Sequence, residues 1–73
     1  MAHYITDKLE RIYYWMDQAK IHSDRGDNYY SGVCFEKAYL FAEEILSLHS
    51  SGKTFLVSSE KEYLENIIGK NDE

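Results

Sequence analysis

The sequence lacks proline altogether and has a single cysteine among its 73 residues. Because proline punctuates most irregular loops and β-sandwiches, its absence favours continuous helices joined by short turns. One cysteine, Cys34, excludes an internal disulfide. The missing disulfide framework favours a reducing, cytoplasmic location. No basic neighbour or Cys-x-x-Cys partner activates Cys34, so we expect a buried, inert thiol.

The sequence is also poor in positive charge. Eight lysines and arginines stand against thirteen acidic residues, which gives a net charge of −5. The basic residues are scattered singly, and a protein that binds nucleic acid normally carries a basic patch. No apolar run approaches the roughly 20 residues that a membrane span needs, and residues 1–7 lack the features of a secretory signal. We therefore predict neither nucleic acid nor membrane as a partner.

Hydrophobic residues make up 44% of the chain and aromatic residues 15%, which is too rich for a disordered protein. The length allows one domain, residues 1–73. A domain of this size has a small core that typically supports only about 3–5 kcal/mol of stability. Such domains often gain stability from a metal, a disulfide or a partner subunit.

Apolar residues recur at helical spacing in two long segments, which predict an antiparallel hairpin of helices at about 6–25 and 28–48. Thr6 would cap the first helix, and Gly26 would end it. The second helix carries two adjoining apolar stripes and should therefore be covered on both sides. These stripes are Cys34, Ala38, Phe41, Ile45 and Leu48, and Phe35, Tyr39, Ala42 and Leu46.

A short third helix at about 60–68 is predicted to close the hairpin, so the fold class is all-α. Ser59 and Glu62 form a Ser-x-x-Glu capping box, and Gly69 is a suitable stop. The apolar run 55–57 would be an extended arm laid against the hairpin. Because the third helix is short, it should leave part of the second helix uncovered.

No motif in the sequence supports catalysis. Gly52-Lys53-Thr54 resembles the end of a phosphate-binding loop, but Ser47 replaces the required upstream glycine and no strand precedes the loop. The serines near His49 are explained by ordinary capping and turn chemistry. No His-x-x-x-His or Glu-x-x-His pair places two metal ligands on one helix face. We therefore predict a protein that is not an enzyme and that has no metal and no cofactor.

Aromatic residues on the first two helices are the candidate contact residues, since tyrosine and tryptophan dominate protein-contact sites. An equally good interpretation is that they are core residues, together with amphipathic tyrosines whose hydroxyl groups reach the solvent. If they are contact residues, the protein forms a homodimer or binds another protein through Tyr13, Tyr14, Trp15, Tyr29, Tyr30, Phe35 and Tyr39.

The Gly26-Asp27 turn, followed by Ala38 and Ala42, resembles the second half of hairpins in the HEPN-like and tetratricopeptide-like groups. It is also similar to short, uncharacterised helical-hairpin proteins. The resemblance covers roughly residues 13–46 and implies a hairpin with close helix packing. HEPN ribonucleases carry an arginine followed four to six residues later by a histidine, and this chain has no such pair. The resemblance thus implies no nuclease activity.

Two alternatives to a self-associating protein follow from the same sequence. The first is a regulator that binds a small ligand or nucleotide through the loop at 49–54. The second is an inhibitor whose acidic surface mimics nucleic acid, which the net charge of −5 supports only weakly.

Overall fold

The computed structural model describes residues 2–71, and the side chains of residues 7–69. Within that range it contains three helices and no strand: α1 (Ala2–Asp24), α2 (Asn28–Ser50) and α3 (Ser58–Asn71). The predicted all-α class is confirmed, and so is the hairpin with its short third helix.

The turn between α1 and α2 is built on Gly26, as the sequence predicted. Gly26 has a φ of +82°, a conformation that favours glycine. Its N–H donates to the carbonyl of Ser23 (3.0 Å), and the N–H of Asp27 donates to the carbonyl of His22 (2.8 Å). This pair of bonds is a Schellman motif, which satisfies the last carbonyl groups of α1. A carboxylate oxygen of Asp27 then accepts the N–H of Tyr30 (3.3 Å) and caps α2.

A second Schellman motif ends α2, this time on Gly52, whose φ is +77°. The N–H of Gly52 donates to His49 (3.1 Å), and that of Lys53 donates to Leu48 (2.9 Å). His49 also holds the following segment, because its Nδ1 accepts the N–H of Leu56 (3.3 Å).

The predicted helix caps at Thr6 and Ser59 are wrong. Thr6 lies within α1, which begins at Ala2. At α3, the carboxylate of Glu60 accepts the N–H of Val57 (3.1 Å), so the capping pair is Val57 with Glu60. Gly69 does not end α3, which continues to Asn71. A glycine inside a helix costs only about 1 kcal/mol, so it stops a helix only when its backbone turns left-handed.

The hairpin is antiparallel, as two contacts between its arms show. Near the open end, Lys8 Nζ forms an ion pair with Glu44 Oε2 at 2.8 Å. Near the turn, the hydroxyl of Ser31 donates to the carbonyl of Ala19 at 2.8 Å. Residue numbers rise on one arm as they fall on the other, which places residue 13 of α1 level with about residue 38 of α2.

A single core joins all three helices and the loop before α3. Ile12, Ala38, Ala42, Ile45 and Leu64 have no measurable exposure. The whole cluster of buried residues consists of Leu9, Ile12, Ala38, Ala42, Ile45, Leu56, Leu64 and Ile67. Helix α2 supplies its centre, as the two stripes predicted. Cys34 is also buried, as expected.

The apolar segment before α3 lies against the hairpin through one residue only. Leu56 is 4% exposed, whereas Phe55 is 78% and Val57 is 48% exposed. The prediction of an apolar arm laid along the hairpin is therefore wrong for two of its three residues. An extended backbone turns alternate side chains in opposite directions, so only Leu56 can point inward.

We expect Leu64→Ala to destabilise the fold by about 2–5 kcal/mol, since it removes a fully buried side chain from α3. A core of this size supports only about 3–5 kcal/mol, so most of the stability should be lost. Urea unfolding followed by circular dichroism measures the change. Glu65→Ala, at an exposed neighbouring position, is the matched control. Equal unfolding midpoints for the two variants would show that α3 does not contribute to the core.

Candidate protein-contact surfaces

A strip of buried residues, which includes Ile12 and Ala38, runs between α1 and α2. The hairpin has an apolar flank on each side of this strip. Successive residues of a helix are rotated by about 100°. Trp15 and Met16 therefore lie on either side of buried Ile12, and Phe41 and Phe35 on either side of buried Ala38. All four of these flanking side chains are half-buried and pack against the core.

Helix α3 covers only one of these sides. The ring of Tyr63 on α3 lies edge-on to that of Tyr13, with 5.3 Å between centroids. Tyr13 belongs to the same flank of α1 as Met16. The flank that bears Trp15 and Phe41 is therefore the side of the hairpin opposite α3.

We name the groove on this opposite side the open face. Lys37 Nζ lies 5.3 Å from the centre of the Trp15 ring, and Lys8 Nζ lies 5.0 Å from that of Phe41. These distances are typical of cation–π contacts. Tyr14 stacks edge-on against Trp15 at 5.0 Å. The residues that line the groove are Arg11, Trp15, Lys37, Leu40, Phe41 and Glu44.

A second groove lies on the α3 side, near the hairpin turn, and its lining includes no described residue of α3. We name it the turn groove. Its centre is Phe35, beside Gly32. A Cβ atom built on Gly32 would meet nothing within 4 Å, so α1 does not approach closely there. The groove is lined by Met16, Ala19, Lys20, Ser23, Asn28, Ser31, Gly32 and Phe35.

The structure distributes the seven predicted contact residues over several places. Tyr14 and Trp15 lie at the open face, Tyr13 contacts α3, and Phe35 lies in the turn groove. Tyr39 is half-buried and packs against the core. Within the described side chains, no ring contact joins Tyr13, Tyr14 or Trp15 to the tyrosines of α2.

Tyr29 and Tyr30 form a separate pair at the hairpin turn. Their rings are 5.1 Å apart, and they are 74% and 54% exposed. Tyr30 also lies 5.9 Å from the ring of His22. Nothing in the fold of the single chain requires two large aromatic side chains to be this exposed.

Sequence reasoning missed three exposed apolar residues, Leu40, Phe55 and Val57. Leu40 is 56% exposed at the open face. Its exposure could have been predicted from the sequence, because residue 40 falls outside both apolar stripes of the second helix. Phe55 was assigned to the arm, yet its ring only meets His49 edge-on at 6.4 Å.

In the loop at 49–54, backbone N–H groups are engaged in hydrogen bonds to the end of α2. The N–H groups of residues 51, 52 and 53 all donate to carbonyl groups of α2. The loop also follows the C-terminus of a helix, where the dipole is negative. A phosphate site needs free N–H groups and positive potential, so this geometry does not favour the ligand-binding alternative.

Within the described residues, no group of three or more His, Cys, Asp and Glu side chains is placed to hold a metal ion. His22 Nδ1 and Asp27 Oδ2 come no closer than 3.7 Å. The helices of that range also include none long and apolar enough to cross a membrane.

No protein-family model matches the chain, and searches of curated proteins and of solved structures found no match either. The inference of function therefore depends on the surfaces of this molecule alone.

Burial raises the pKa of the Tyr63 hydroxyl, and the neighbouring Tyr13 adds to the effect. The native state thus holds this proton more tightly than the unfolded state, where the pKa is about 10. The resulting stability is complete below that pH and is lost as pH rises through the native pKa.

We therefore expect Tyr63→Phe to flatten the alkaline decline in unfolding free energy while changing it little at neutral pH. Urea unfolding at a series of pH values up to strongly alkaline conditions measures this. Tyr14→Phe, which removes an exposed hydroxyl on the opposite side, is the control. Parallel curves for the parent protein and Tyr63→Phe would contradict the assignment.

Proposed function

We propose that the protein is a small, acidic, non-enzymatic helical protein that works by protein contact, and that it forms a homodimer. The observation that carries the proposal is the turn groove, a largely apolar groove between α1 and α2 whose lining includes no described residue of α3. Contiguous exposed apolar surface on a small domain usually marks a contact site. We also propose a cytoplasmic location, where the unpaired Cys34 stays reduced.

The chemistry of the turn groove suits contact between identical chains. A two-fold dimer places the same patch against itself, so like charges within the patch oppose one another. Lys20 is the one charged residue in the groove lining. Its long side chain can direct the ammonium group outward to water while its stem covers apolar surface.

Gly32 supports the same proposal. A glycine inside a helix costs up to about 1 kcal/mol relative to alanine. Among the described residues, no atom lies within 4 Å of the position where its Cβ would be. A partner helix that packs against the backbone at this point would use the space that glycine leaves open.

The exposed pair Tyr29 and Tyr30 can extend this contact at the same end of the molecule. A standard interface buries about 800 Å² on each partner. The surface of the chain is 5212 Å², so a standard dimer would bury roughly 15% of it. The turn groove alone is smaller than this buried area. The proposed interface therefore includes the two tyrosines.

Phe35→Glu should weaken the dimer at least tenfold, since a central aromatic hot-spot side chain typically contributes about 2 kcal/mol or more to an interface. Sedimentation equilibrium over a wide range of concentrations gives the dissociation constant. Leu40→Glu, which places the same charge on the opposite side, is the matched control and should assemble like the parent. A parent protein that stays monomeric at high micromolar concentration would refute the dimer.

Gly32→Ala should change folding stability and assembly in opposite directions. The monomer gains up to about 1 kcal/mol from the better helix former, because its groove has space for the methyl group. The dimer should weaken, because the methyl group separates the two backbones. Thermal unfolding at low concentration and sedimentation at high concentration measure the two effects. If both stability and assembly rise, no close helix approach occurs at Gly32.

A further inference from the structure

The open face differs in chemistry from the rest of this acidic protein. It brings three cations, Lys8, Arg11 and Lys37, around two aromatic rings. The acid in its lining is Glu44, which pairs with Lys8. The groove therefore has a local excess of positive charge, although the chain as a whole has a net charge of −5.

Two of these cations have no acidic partner among the side chains that the structure describes. Among the described side chains, no carboxylate lies within ion-pair distance of Arg11 or Lys37. Asp7 and Glu10 are the nearest candidates for Arg11, since they share with it a shallow depression beside Tyr14. At about 100° of rotation per residue, both acids project further from α2 than Arg11, which itself lines the groove. The positive charge thus faces the groove.

The open face also exposes apolar surface between its charges. Leu40 and Tyr14 are 56% and 55% exposed. The half-buried Trp15 contacts the ring of Tyr14 and lines the groove together with Leu40. From Lys37 to Glu44 the groove follows α2 for two turns, or about 10 Å. A helix seated between two helices contacts such a groove through apolar residues three and four positions apart.

We propose that the open face binds an acidic amphipathic helix of another protein. Leucine or isoleucine side chains of that helix would pack on Leu40 and Trp15. Its glutamates would pair with Arg11 and Lys37 at the edges of the groove. This surface is separate from the turn groove, so it goes beyond the proposed dimer, and either surface can be tested without the other.

Charge excludes the other occupants. A second copy placed symmetrically on the same surface would set Arg11 and Lys37 against their own equivalents, and like charges in an interface are unfavourable. A nucleic acid would meet three cations here but a strongly acidic protein everywhere else. Nucleic-acid sites normally show a larger basic footprint.

The test uses Trp15 as its probe, because it is the sole tryptophan in the chain and lies at the centre of the groove. The ligand is a synthetic helical peptide of about 15 residues, since shorter helices are marginal in water. It carries leucine on one face and glutamate along both edges. Its controls are the same peptide with glutamine for glutamate, and a single-stranded oligonucleotide.

We expect the acidic peptide to change the emission of Trp15 in a saturable way, with an affinity that falls as salt is added. Calorimetry should show binding to Arg11→Gln and Lys37→Gln weakened several-fold each, and to the double variant about tenfold or more. Lys61→Gln, at an exposed lysine on α3, is the matched control and should bind like the parent.

Four results would overturn the proposal. The first is no binding of the acidic peptide at concentrations up to about 1 mM. The second is equal binding of the glutamine peptide, which would remove the role of charge. The third is tighter binding of the oligonucleotide. The fourth is a change in Trp15 emission when the protein alone is diluted, which would mean that a second copy occupies the open face.

Discussion

The structure depends on one constraint, which is that the buried strip of α2 must pack against two helices at once. Ala38, Ala42 and Ile45 are fully buried on this strip. Two of the three side chains are small, so the neighbouring helices can approach closely. Ile12 of α1 and Leu64 of α3 are fully buried in the same core. A larger side chain at either alanine would push one neighbour away, because cores tolerate little added volume.

The same constraint explains why so much apolar surface remains outside the core. The molecule measures 40 × 26 × 17 Å, and its thinnest dimension is less than two helix diameters. Three helices in this arrangement cannot enclose both flanks of α2. Helix α3 covers one flank over part of its length, and the other flank stays open. Both candidate contact surfaces are therefore consequences of how few elements share one central helix.

The two surfaces differ because different side chains flank the strip. On the α3 side, Phe35 and Gly32 leave an almost uncharged depression that can face its own copy. On the opposite side, Lys37 and Lys8 lie over Trp15 and Phe41, which gives a basic, aromatic groove. Under the two proposals made above, one side would join a copy of the protein and the other would bind a different partner.

Local sequence information determined the helices, the turn at Gly26 and the central place of α2, because helical periodicity and left-handed glycine turns act over a few residues. It also identified most of the exposed aromatic residues. Tertiary packing alone decided which rings meet. Trp15 and Lys37, or Tyr13 and Tyr63, are far apart in the chain, and their contacts depend on how one helix docks on another. Periodicity describes each helix about its own axis and carries no information about that docking.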